Sequence, residues 1–289
     1  MRLLTFYDSG TTGEVVRQPA VVQNDRIFRL DAASLGECAA LSMERLAQLQ
    51  SQALQNDPLP LDRVRLSAPV RPCKNVFCVG RNYLDHALEG ARVFGKEIRL
   101  PEVPTFFTKA ATAIADPGAT LSFSSALSQQ YDWEGELCIV IGKSGRDIPE
   151  HSALDHVFGY TALNDVTARD LQRAHGQWFK GKSLDQSCPL GPWIVTADEI
   201  TNPQELHLEV RVNGVTKQIT STSMMIFSVA RVIAELSRGM TLDSSDLIAT
   251  GTPAGVGFAR TPPEFLRNGD TVEVEIERIG ILRNTIAIA

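Results

Sequence analysis

The 289-residue chain has no long apolar run, no block of like charge and few aromatic residues, which make up 7% of it. Each shortage excludes something. No stretch is long enough to cross a bilayer as a helix, and the apolar run at residues 3–6 is far too short for a secretory signal. A cytoplasmic protein without a membrane partner is the expectation. Lys and Arg number 28 against 34 Asp and Glu, for a formal charge of −6, and no dense basic cluster interrupts that balance. A nucleic-acid partner is therefore not expected. The five cysteines are odd in number and scattered, which suits reduced, buried thiols better than a disulfide framework or a zinc site. Phosphate-binding Gly loops, Gly-x-Ser-x-Gly elbows and His-Glu-x-x-His helices are missing too. His151, His156, His175 and His207 have no partner at a useful spacing and read as surface or structural residues.

What is present describes a folded, β-rich chain. Hydrophobic residues at 43% and charged residues at 21% are ordinary globular values. Residues 2–6, 15–23 and 26–30 read as strands, with a two-residue turn at Asn24-Asp25. Ser42 opens a helical pattern through Met43, Leu46, Leu49 and Ala53. The Pro-punctuated stretch 66–72 then suggests a joint, dividing a small N-terminal α+β domain (1–70) from a larger domain (71–289). Beyond residue 74 nearly every segment reads as a strand, except an amphipathic helix at 226–237 stopped by Gly239. Residues 178–193 read as a loop. The main domain is therefore expected to be mostly antiparallel β.

Two clusters carry possible chemistry. In Asp132-Trp133-Glu134-Gly135-Glu136, strand alternation puts three carboxylates on one face, immediately before the apolar run Leu137 to Ile141. Adjacent carboxylates raise each other's pKa, and a strand entering a core needs that charge neutralised. A hard divalent cation with oxygen ligands would do so; a solvated strand face is the plain alternative. His86 and Glu89, three residues apart, share one face of a helical turn, so the carboxylate can orient the imidazole as in a general base. A surface histidine beside a glutamate is the plain alternative there. Residues 90–103 read as a surface segment able to cover a site, and Arg92, Lys96 and Arg99 in it suit a second substrate carboxylate as well as they suit water. The glycine-rich 251–257 stretch reads either as a tight turn or as backbone N–H groups and the Thr252 hydroxyl lining a carboxylate pocket.

Taken in order, Gly80 to Glu89, Asp132 to Glu136, Gly159 to Asp170, Lys182-Ser183, Pro189 to Trp193, Thr250 to Gly257 and Leu282 to Thr285 resemble the fumarylacetoacetate hydrolase family. The resemblance spans roughly residues 70–289 and is loose before that. It departs from the family pattern at Ala110, where Pro is usual, and at Met224, where a polar residue is common. It implies a mixed β-sandwich roll, mainly β within the α+β class, and one divalent cation per chain, Mg²⁺ or Mn²⁺, on Glu134, Glu136 and Asp165. It implies His86, Glu89 and Lys182 as catalytic residues, and Arg81, Tyr83, Lys109, Arg169, Gln172 and Thr252 as substrate-binding residues. A homodimer is the family expectation. The activity expected first is hydrolysis of a C–C bond in a small 2,4-dioxo acid of acylpyruvate or fumarylpyruvate type. The alternative is isomerase, decarboxylase or tautomerase chemistry on a 2-oxo acid at the same site, because all of these pass through the same kind of enolate. A non-catalytic binding protein is a third reading.

Overall fold

The computed structural model describes residues 1–9, 14–94 and 100–289, with side chains left undescribed from 90 to 99. Of the segment at 90–103 that sequence reading singled out, residues 90–94 continue the helix Leu84–Phe94, while residues 95–99, with Lys96 and Arg99, and the side chain of Arg92 lie outside what is described.

The chain is mostly β and forms two large sheets packed face to face. The larger runs in the order Leu59–Pro60, Arg26–Arg29, Val16–Gln23, Arg2–Asp8, Cys188–Thr196, Val157–Asn164, Gly135–Ile141, Leu247–Ala249, Val76–Gly80 and Thr105–Lys109. The smaller contains Val215–Ser221, His207–Val212, Thr271–Ile276, Gly280–Ile288 and Thr120–Phe123. Most pairings are antiparallel. The parallel ones join Cys188–Thr196 to Ile114–Ala115, Leu247–Ala249 to Val76–Gly80, and Gly280–Ile288 to Thr120–Phe123.

The Gly135–Ile141 strand explains the layering. Leu137, Ile139 and Ile141 enter the core shared with Val210, Val272 and Val274 of the smaller sheet. Cys138 and Val140, one position out of phase, enter the opposite cluster with Leu3, Val21, Leu46 and Leu49. A strand covered on both faces has no polar side to show, hence the continuous apolar run. Burying such residues contributes roughly 1.5–3 kcal/mol for each large aliphatic side chain.

Several local expectations reappear with small shifts. Asn24 and Asp25 both take positive φ, 49° and 57°, so this hairpin uses a left-handed pair without glycine. Ser42 caps the Met43–Ala53 helix, its side chain accepting the Arg45 N–H. Ser228 caps Val229–Ser237 in the same way.

Two readings are corrected. Residues 178–193 are not a loop: they hold the short helix Phe179–Lys182 and most of Cys188–Thr196, a strand paired on both sides in the large sheet. Pro189, Gly191 and Pro192 look like breakers, yet they sit where the register with Val157–Asn164 slips between Tyr160 and Ala162, a bulge that needs no regular ladder. The second correction is to helix content after residue 74. Leu84–Phe94 and Arg169–Ala174 are helical as well.

The strands of residues 1–70 attach to the large sheet through Arg2 and Leu3, which pair with Val195 and Ile194. A domain boundary near residue 70 is retained as a proposal. No helix among the described residues is long and apolar enough to cross a membrane.

Candidate active site

Ladder geometry brings three carboxylates together. Gly135 pairs with Asn164 and Glu136 with Leu163, and the Asp165 N–H donates to the Glu134 carbonyl at 2.8 Å, carrying the contact one step past the strand end. Glu134, Glu136 and Asp165 thereby converge, with ligand oxygens all within 4.8 Å of one another. All three are buried.

Buried cations hold most of this charge. Lys182 Nζ donates to Glu134 Oε2 at 2.5 Å and to Asp165 Oδ2 at 2.6 Å. Lys109 Nζ, wholly buried, donates to Asp165 Oδ1 at 2.6 Å and to the Val166 carbonyl at 3.2 Å. Arg169 reaches Asp132 through Nε at 2.8 Å and Glu134 through Nη2 at 2.5 Å, and stacks over Phe258. Lys182 arrives there because its helix packs tightly on Arg169–Ala174. A Cβ on Gly181 would sit 2.5 Å from the Gln172 nitrogen and 2.7 Å from the Ala168 carbonyl. Burial works to raise the Glu134 carboxyl, but Arg169, Lys182 and His86 outweigh it and hold it at about 2. Burial lowers the Lys182 pKa, yet Asp165 and Glu134 prevail and keep it above the ordinary lysine value.

Glu136 is treated differently. Its described partner is the Gly251 N–H, at 2.7 Å, and it has no direct cation contact among the described residues. Burial, then Asp165 and Glu134, push its carboxyl well above the usual range. Four buried carboxylates (Asp132, Glu134, Glu136, Asp165) thus face three buried cations (Lys109, Arg169, Lys182). The shortfall falls on Glu136, whose carboxylate with those of Glu134 and Asp165 makes a set of hard oxygen donors. That donor set fits a hard divalent cation.

The dyad residues meet on the Leu84–Phe94 helix, with His86 Nδ1 3.3 Å from Glu89 Oε2. The same carboxylate accepts the Gly255 N–H, at 3.0 Å to Oε1.

The other sequence-derived residues have less uniform positions. Arg81, exposed and at a φ of 59°, lies over the Trp178 ring. Tyr83 is 1% exposed and its hydroxyl has no hydrogen-bond partner among the described residues. Lys109 and Arg169 are engaged by the protein's own carboxylates, and Gln172 Oε1 accepts from Arg169 Nη1 at 3.2 Å. The Thr252 hydroxyl donates to the Gly135 carbonyl at 3.0 Å. The glycine-rich loop does offer N–H groups to carboxylates, but to internal ones: Gly251 to Glu136, Gly255 to Glu89 and Gly257 to Asp132. Sequence reading passed over Gln218 and Asn82. Each is a buried amide bonded across long sequence separations, which no local pattern signals.

The chain thus combines a two-sheet roll, a buried Glu–Glu–Asp triad able to hold a metal ion, and a His–Glu pair. The chain belongs to the fumarylacetoacetate hydrolase family, since the family's C-terminal domain model matches residues 75–287. Over 273 residues it is 46% identical to the oxaloacetate tautomerase YisK of Bacillus subtilis, covering 90% of this chain and 89% of that protein. It is 41% identical over 247 residues to the mitochondrial oxaloacetate tautomerase fahd2 of Xenopus laevis, covering 84% of this chain and 75% of that one. Among solved structures, a fumarylacetoacetate hydrolase from Exiguobacterium antarcticum superposes with a TM-score of 0.85 at 40% identity, covering 100% of both chains. A 2-hydroxyhepta-2,4-diene-1,7-dioate isomerase from Mycobacterium marinum gives 0.77 at 34% identity, covering 100% of this chain and 98% of that one. The proteins it resembles are named as tautomerases, isomerases and a hydrolase, so the chain belongs to a family of enzymes.

Proposed function

We propose that the protein is a divalent-metal-dependent tautomerase of small 2-oxo acids, interconverting the enol and keto forms of an oxaloacetate-like substrate. The observation that carries this reading is the 46% identity to an oxaloacetate tautomerase across nine-tenths of both chains. It displaces hydrolysis as the first expectation. Hydrolysis of an acylpyruvate remains a second reading, favoured by the likeness to the Exiguobacterium antarcticum hydrolase.

Tautomerisation moves one proton off the 2-oxygen and one onto C3, while the C2–C3 double bond becomes a C2–O double bond. Atoms and electrons balance without a co-reactant. Glu134, Glu136 and Asp165 would hold Mg²⁺ or Mn²⁺, which when bound supplies Lewis-acid pull on an oxygen of the acid. His86 moves the C3 proton, and Glu89 fixes its tautomer and direction. Lys182 keeps positive charge beside the cluster, where negative charge develops on the 2-oxygen. Burial of the three carboxylates, none more than 4% exposed, keeps bulk water out and so preserves the strength of these interactions.

The deciding assay follows loss of enol-oxaloacetate absorbance with Mg²⁺ or Mn²⁺, beside acylpyruvate cleavage and oxaloacetate decarboxylation on the same preparation. Enol–keto turnover should dominate, and His86→Ala should lower it by about 10²–10⁴-fold. Dominant acylpyruvate cleavage would transfer the assignment to the second reading.

A further inference from the structure

A buried amide on the smaller sheet bonds both the residue between the two triad glutamates and the start of the glycine-rich loop. Gln218 is 1% exposed and sits on Val215–Ser221, outside the acidic cluster and the glycine-rich loop. Its side chain makes three hydrogen bonds. Oε1 accepts the Gly135 N–H at 3.0 Å, between the two triad glutamates in sequence. Nε2 donates to Thr252 Oγ1 and to the Pro253 carbonyl, each at 2.8 Å. Thr252 completes a ring by donating to the Gly135 carbonyl at 3.0 Å. The acidic strand and the start of the loop are therefore lashed together through a single side chain.

The loop passes this constraint on. Gly255 has a φ of 101° and lies so close to the Val215–Ser221 backbone that a Cβ would come 2.1 Å from the Lys217 carbonyl. Its carbonyl accepts the Trp133 indole N–H at 3.1 Å, and its own N–H donates to Glu89 Oε1 at 3.0 Å. Glu89 in turn meets His86 Nδ1. The contact runs unbroken from Gln218 through Pro253 and Gly255 to Glu89 and His86.

We propose that Gln218 is a positioning residue, holding the 252–255 loop so that the Gly255 N–H docks Glu89 and aims His86 at the carboxylate cluster. Gln218 touches neither substrate nor the reacting atoms in this scheme. The inference rests on the reading of His86 as the proton-moving residue. It goes further by assigning the dyad's orientation to a residue 83 positions along the chain from the acidic strand it bonds.

The test compares wild type with Gln218→Met, which keeps volume and loses all three bonds, and with Gln218→Asn, which keeps an amide too short to span them. Gln218→Asn serves if Gln218→Met does not fold. Hydrogen exchange of the amides at residues 84–90 should quicken by about tenfold at an unchanged global melting cooperativity. Enol–keto kcat should fall by about tenfold, more than any change in KM that loosening Thr252 brings. In a Glu89→Ala background, adding Gln218→Met should cost less than about twofold, because the docking partner is already gone. Unchanged exchange at 84–90 overturns the inference whatever the activity does. Fully multiplicative losses in the double variant overturn it too, since Gln218 would then act independently of the dyad. The separate His86→Ala arm tests the catalytic reading alone: activity surviving there with fast exchange in Gln218→Met refutes the role of His86 and leaves the docking intact.

Discussion

Lys182 and Asp165 form a buried ion pair at 2.6 Å, and the same ammonium also binds Glu134 at 2.5 Å. One lysine thus neutralises two members of the acidic triad. Removing it would leave four buried carboxylates with only Lys109 and Arg169 to offset them, the costly way to break such a pair. Lys182→Met should destabilise the metal-free protein by about 3–5 kcal/mol in urea unfolding. Added Mn²⁺ should recover more stability in this variant than in wild type, because the cation takes over part of the neutralisation. A variant as stable as wild type without metal would show that the lysine is not needed to offset the triad.

Glu136 gives the opposite prediction. It is the triad carboxylate without a cationic partner among the described residues, and its carboxyl is raised by burial and by Asp165 and Glu134. Glu136→Gln keeps an acceptor for the Gly251 N–H and removes the unpaired charge. Metal-free melting should be unchanged or higher. Wild type should gain about 2.7 kcal/mol at a Mn²⁺ concentration one hundred times its dissociation constant, and the variant should lose that gain. Thermal melts with and without Mn²⁺ read both. An equal metal-induced gain in the two proteins would remove Glu136 from the ligand set.

The converging triad was legible in the sequence because it sits on ordered motifs, although Glu134 falls in the break between Tyr131–Asp132 and Gly135–Ile141 rather than on one continuous strand with Glu136. Strand alternation alone gave three candidates and could not separate Asp132. The structure does: Asp132 accepts the Gly257 and Phe258 N–H groups and pairs with Arg169, so its oxygens face another way. The Cys188–Thr196 strand was illegible because proline and glycine read as breakers wherever a bulge is invisible. The Gln218 and Gly255 contacts were illegible for a different reason. They are buried hydrogen bonds between residues far apart in sequence, which no period or motif encodes. Gly135 marks the boundary of legibility: its place on the face opposite the carboxylates follows from alternation, but not that a Cβ there would come 2.3 Å from Val210 Cγ2, leaving no room for a side chain.

Asp116 supplies a pH-dependent prediction well away from the triad. Its Oδ1 accepts the Ala68 N–H at 2.8 Å and an Arg71 N–H at 2.9 Å, while Oδ2 accepts the Tyr7 hydroxyl at 2.8 Å. It therefore joins the Arg2–Asp8 strand and the 67–71 stretch to the turn that leads into Thr120–Phe123. Burial works to raise its carboxyl, but the Ala68 N–H, the Tyr7 hydroxyl and Arg71 together bring it below the usual aspartate value. Folding therefore favours the carboxylate. Its contribution is fully present above the unfolded pKa near 3.9 and fades as pH falls through the lower folded value. Asp116→Asn should cost about 1.5–3 kcal/mol at pH 7, reduced toward the lower figure because the side chain is partly exposed. The gap between variant and wild type should narrow as pH drops below about 4. Urea unfolding of both proteins at pH 7, 5 and 3 measures it. A gap that stays constant or widens toward pH 3 would mean that the charge on Asp116 does not hold these segments together.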